Sequence, residues 1–176
     1  MTDYFALFGE ARRPWLESEK LKEKYYALSR AAAPEAELNQ AFRVLSDPKL
    51  RLHHLLNLEG ADLTAGRPVP PSVAELFWKT GKLLREIERL LVREKTATST
   101  LARALLQSER GNLEQRLGEL EEQLRATYDA ELAQWPRTEI DWPNEMAQMV
   151  ERYDCVAYLT RLLEQIAEKR FQLAAG

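Results

Sequence analysis

Apolar residues return every three or four positions from one end of this 176-residue chain to the other. Strands need strict alternation, and no segment keeps it, so the expected fold class is all-α. Prolines and glycines then set where each helix stops. "DYFALFG" reads as a short first helix closed by Gly9. After a turn at Pro14, Ser18 is placed as an N-cap, and Leu21, Tyr25, Leu28 and Ala32 form one stripe. Pro34 cannot continue that helix without losing a backbone hydrogen bond, at a cost of roughly 3 kcal/mol. A third helix therefore starts there, with Glu35 and Glu37 suited to its positive N-terminal end. Leu38, Phe42 and Leu45 repeat along it, and Phe42 is expected in the core. "SDP" at Ser46 to Pro48 ends this helix and begins a fourth, which turns Leu52, Leu55 and Leu56 inward and stops at Gly60.

The segment "ADLTAGRPVPP" has the proline and glycine content of a linker. The expected organisation is a short four-helix unit at residues 1–60, a linker at 61–71, and an antiparallel three-helix bundle at 72–176. In the bundle, Ser72 is placed as the cap of a long helix that buries Val73, Leu76, Thr80, Leu83, Ile87, Leu90 and Leu91. "TATST" separates it from a second long helix carrying Leu113, Leu117, Leu120, Leu124, Tyr128 and Leu132. A rigid turn in "WPRTEIDWPNE" leads to the last helix, which starts near Asn144.

Charge and residue usage narrow the function. The net charge is -3, and the first 60 residues carry nine acidic and nine basic side chains. That balance argues against nucleic acid, which needs a basic patch or stripe. No window approaches the roughly 18 apolar residues of a membrane span, and the start of the chain lacks a secretory pattern, so a cytoplasmic protein is expected. Cys155 is a single cysteine and is read as a small buried hydrophobe. His53 and His54 lie about 100° apart on a helix, too divergent to share one ion, and are read as structural or surface residues. No metal, cofactor, nucleotide loop or catalytic constellation is expected, and the chain is read as a non-enzyme.

"DYFALFG", the run "LNQAFRVLSDPKLRLHHLLNLEG" from Leu38 to Gly60, and the three long helices that follow resemble the HscB family. These are J-domain co-chaperones of iron–sulfur cluster assembly. The resemblance implies a J-domain-like helical unit followed by the bundle, with a DnaK-type chaperone and a client protein such as an iron–sulfur scaffold as partners. It also exposes a departure. The family's His-Pro-Asp trigger for chaperone ATP hydrolysis corresponds here to Ala33, Pro34 and Glu35, and the loop that ordinarily follows is cut away. Without the imidazole, the resemblance implies chaperone binding with little or no ATPase stimulation. Lys20, Lys22, Lys24 and Arg30 on the second helix are the chaperone-binding candidates, although Glu17, Glu19 and Glu23 interleave with them and dilute a one-sign field.

The partner face of the bundle is expected at Phe77, Trp78, Lys82, Arg85 and Arg89. Trp78, Lys82, Arg85 and Arg89 fall at i, i+4, i+7 and i+11, on a face offset from the apolar stripe. In the HscB family this helix resembles an apolar and acidic docking surface. Phe77 and Trp78 would keep the apolar anchors, while Lys82 and Arg85 replace acidic positions. Two readings follow: an HscB-like co-chaperone or adaptor, or a J-like interaction module for an unrelated acidic partner. A purely structural role for Trp78, packed on the Lys82 stem, stands beside both. The oligomeric state is not legible.

Overall fold

Local chemistry explains where the helices begin and end. In the computed structural model, which describes residues 2–31, 35–63, 67–135 and 142–175, Asp3 caps α1 (Tyr4–Leu7) by accepting from the Phe5 and Ala6 amides at 3.0 and 3.2 Å. Gly9 then takes a φ of 57° that other residues rarely adopt. Next come α2 (Ser18–Arg30) and α3 (Glu35–Ser46). Asp47 caps α4 (Pro48–Leu58), accepting from the Leu50 amide at 2.9 Å with Pro48 in the first turn, and Gly60 ends it at a φ of 74°. Three long helices follow: α5 (Pro71–Thr96), α6 (Thr100–Ala133) and α7 (Met146–Ala174), with a 3-10 turn at Pro143–Glu145 leading into the last. No strand occurs among the described residues, and the all-α expectation holds. Two expected caps move. Ser18 is the first residue of α2 behind Glu17, and α5 starts at Pro71, because prolines fit a first turn whose amides are unsatisfied anyway.

The chain forms two compact units, one of Met1–Pro68 with Glu131–Asp154 and one of Val69–Ala130 with Cys155–Gly176. In the first unit Phe5, Leu38, Ala41, Leu45, Leu52 and Leu55 are buried in the core. Phe42, expected there, is half-buried and stacks on Tyr25 at 4.5 Å and Phe8 at 6.5 Å. Two polar side chains are buried with their needs met. Arg51, 5% exposed, donates from Nε to the Pro14 carbonyl at 2.7 Å and from Nη1 to the Leu45 carbonyl at 2.5 Å. His54 accepts the Tyr4 amide on Nε2 at 3.2 Å and stacks on the Tyr4 ring at 4.6 Å. Its neighbour His53 is exposed, as two residues 100° apart on a helix should differ. Later in the chain Trp142 is buried and donates from Nε1 to the Arg12 carbonyl at 2.7 Å, while Arg67 grips Asp154 with two bonds of 2.5 and 2.7 Å.

The second unit is a three-helix bundle. Glu86 pairs with Arg116 at 2.6 Å and Glu94 with Arg110 at 2.7 Å, so α5 and α6 run antiparallel. Ser72 lies against Cys155 at 3.2 Å and Glu88 against Lys169 at 2.9 Å, so α5 and α7 run the same way. Val73, Leu83, Ile87 and Leu90 of α5 pack with Leu113, Leu117 and Leu124 of α6 and with Leu159, Leu162 and Ile166 of α7. Cys155 is buried in this cluster, as a small hydrophobe would be.

Candidate functional site: an aromatic groove with a basic rim

Several large apolar side chains of the long helices meet water, among them Val92, Leu101, Leu105 and Phe171, but Trp78 does so beside two other aromatic rings. On α5, Trp78 is 68% exposed, although a ring of that size normally buries most of its area. Phe77 is half-buried beside it, with ring centres 5.5 Å apart in an edge-on arrangement, and lies 6.4 Å from Tyr158 of α7, again edge-on. These rings line a cavity of about 520 Å³ between α5 and α7, bounded by Val69, Gly81, Leu84, Leu162 and Gln165. Arg85, Glu88 and Arg161 complete its wall. Aromatic walls with a polar edge are the makeup of a protein-binding hot spot.

Charge around the groove is uneven. Glu88 is held by Lys169 and Glu75 by Lys79 at 2.6 Å, so these carboxylates are already matched. Glu86 is held by Arg116, which draws its carboxyl below the ordinary carboxylate range, with Lys82 and Arg89 adding to the effect. Lys82, Arg85, Arg89 and Arg161 are exposed and form no ion pair among the described residues. A larger groove of about 870 Å³ lies between α5 and α6; Arg116–Glu86 and Arg93–Glu109 pairs span it, and Arg85 and Arg89 line it as well.

The residues expected on a partner face, Phe77, Trp78, Lys82, Arg85 and Arg89, lie along one side of α5, with Phe77, Trp78 and Arg85 lining the groove. Sequence reasoning missed Tyr158 and Arg161, which come from α7, and Gly81. Tyr158 carried the same signal as Trp78: an aromatic one position off a helix's apolar stripe.

The second helix behaves differently. Lys20 pairs with Glu17 at 2.6 Å and Lys22 with Glu19 at 2.8 Å, and each acid raises its lysine's pKa by hydrogen bonding. Lys24 pairs with Glu10 at 2.7 Å and donates to the Gly9 carbonyl at 3.1 Å. Of the four candidates only Arg30, exposed at the end of α2, is without an ion pair among the described residues. The field on this face is therefore diluted, as surface pairs within one helix turn do. Ala33 and Pro34 lie outside the described residues, and Glu35 is the exposed first residue of α3.

Comparison with solved structures finds the chaperone HscB from Vibrio cholerae, which is 19% identical and superposes with a TM-score of 0.54 over 98% of this chain and 99% of that chain. The fold is thus the helical fold of HscB. No protein-family model and no curated protein sequence matches the chain. Among the described residues no helix is long and apolar enough to cross a membrane, and no group of His, Cys, Asp and Glu side chains is arranged to hold a metal ion.

Proposed function

We propose that this chain is a co-chaperone-like adaptor of the cytoplasm that holds a client protein in the α5/α7 groove and does not act as a J-type trigger. The observation that carries the reading is the clustering of exposed Trp78 with Phe77 and Tyr158 along one groove, which Phe171 and Tyr26, though also exposed, do not line. The HscB-like fold over the full chain supports a chaperone-associated role. The internal pairing of Lys20, Lys22 and Lys24 supports weak engagement of a DnaK-type chaperone, and the Ala33-Pro34-Glu35 sequence supports engagement without stimulation. An iron–sulfur scaffold is the client that the HscB likeness suggests; Lys82, Arg85 and Arg89, which form no ion pair among the described residues, favour a client with an acidic surface.

Two measurements test the proposal. In single-turnover ATPase assays with the DnaK-type chaperones of the same cell, titration of the protein leaves the rate unchanged. A saturable tenfold acceleration, about 1.4 kcal/mol off the barrier, would refute the missing trigger. A photo-crosslinking amino acid at position 78 captures a protein in cells, and the same group at exposed Leu101 does not. Equal capture at both positions would remove the groove from consideration.

A further inference from the structure

The groove contains a feature that helix chemistry does not favour. Gly81 sits in the middle of the 26-residue α5, where glycine is less stable than alanine through its extra freedom in the unfolded chain. Nothing forbids a side chain there. A Cβ built at Gly81 meets Arg85 Nη1 at 3.6 Å, an ordinary contact, and the glycine does not take a positive φ. The missing side chain instead hollows the groove wall, beneath the end of the flexible Arg85 side chain. Gly81 lies one turn beyond Phe77 and one turn before Arg85, so the row Phe77, Gly81, Arg85 reads ring, gap, guanidinium. Tyr158 and Leu162 close the far side of the gap.

The cations continue from that gap in one direction. Lys82, Arg85 and Arg89 stand about 1.5, 6 and 12 Å along the α5 axis from Gly81, from the 1.5 Å rise per residue. A binding segment with one apolar residue in the gap and carboxylates spaced along a rigid rod over the same span matches the whole surface. A helix supplies that spacing at i+1, i+4 and i+8 from its anchor. Resting on the reading of the groove as a client site, we propose that its occupant is an acidic amphipathic helix of a partner protein, with one medium-sized apolar side chain seated over Gly81 and its carboxylates on Lys82, Arg85 and Arg89. Unmatched charges of one sign select the partner and set its register on α5.

The test is a display library of helical peptides, with positions on one face randomised, selected on the full-length protein and counter-selected on Trp78→Ala. The expected outcome is enrichment of Asp and Glu at i+1, i+4 or i+8 from a Leu, Ile or Met, in either chain direction. Synthetic peptides of the winning sequence should bind at least tenfold more weakly to Lys82→Glu/Arg85→Glu and should weaken steeply with added salt. On Gly81→Leu the same peptides should also lose at least tenfold, while Gly81→Ala raises the melting temperature and weakens binding more modestly. Trp78-dependent binders that are neutral or basic would overturn the acidic helix and leave the groove as a site. Binders unaffected by Gly81→Leu would overturn the seated side chain. If selection yields no Trp78-dependent binder, the client groove itself falls, and this inference falls with it.

Discussion

Replacement of Arg51 by Met should unfold the first unit well before the second. The methionine keeps most of the aliphatic stem, so packing changes little, and the test isolates the guanidinium. Two acceptors lose it: the Pro14 carbonyl in the segment after α1 and the Leu45 carbonyl in the last turn of α3. The second belongs to the group of helix-end carbonyls that have no partner inside the helix. Hydrogen bonds to a charged donor contribute about 1.5–3 kcal/mol each. Relief from keeping a cation 5% exposed returns part of that. The net expected loss is about 2–4 kcal/mol, or on the order of 10–20 °C in melting temperature for a unit of this size. Tryptophan emission reads it selectively, because Trp15, Trp135 and Trp142 lie in the first unit and only the exposed Trp78 in the second. Arg51→Lys should fall between, since one ammonium lacks the planar fork that reaches two separated carbonyls. A Met variant within 0.5 kcal/mol of wild type, or a Lys variant equal to it, would show that the guanidinium is not what joins α3, α4 and the loop at Pro14.

Burial lowers the pKa of His54, and its Nε2 must stay unprotonated to accept the Tyr4 amide. The unfolded chain therefore takes up a proton below about pH 6.5 that the folded chain resists. Stability of the first unit should fall as pH drops from about 6.5 toward 5, and urea titrations should show a shallower fall in His54→Gln; identical slopes would refute this. Leu45→Ala, at a fully buried site, should cost about 3–4 kcal/mol and Phe42→Ala only about 1.5–3, an order that denaturation midpoints check directly. Thr80 is fully buried with no partner for its hydroxyl among the described residues, so Thr80→Val should stabilise the second unit by about 1 kcal/mol in thermal melts.

Helix order and fold class were legible because each helix carries its own period and its own stops. Phe42 shows where that reading fails. On α3 the buried residues are Leu38, Ala41, Val44 and Leu45, and at 100° per residue Phe42 lies about 90° from the centre of that face. A large ring drew attention that the small Ala41 deserved. The groove was half legible. Its α5 wall followed from Trp78 standing off the apolar stripe, but Tyr158 and Arg161 reach it only through the packing of α7, and local periodicity carries no record of which helix lies alongside. Gly81 was passed over because a glycine inside a helix looks like tolerated noise until the space beside it is seen. Arg51 and His54 were unreadable as core residues for the same reason: their acceptor and donor, at Leu45, Pro14 and Tyr4, lie elsewhere in the chain.

The division of the chain into interleaved units bears on how the protein is made. A ribosome that has reached Ala130 has released most of both units and completed neither, because the first still lacks Glu131–Asp154 and the second Cys155–Gly176. The sides of α5 and α6 that pack on Leu159, Leu162 and Ile166, and the pocket that receives Trp142, are then without their covers. α7 contributes to both units, and vectorial synthesis delivers it after α1 to α6. The nascent chain thus waits with two open cores until the segment around Trp142 and then α7, emerging from the exit tunnel, close them in succession.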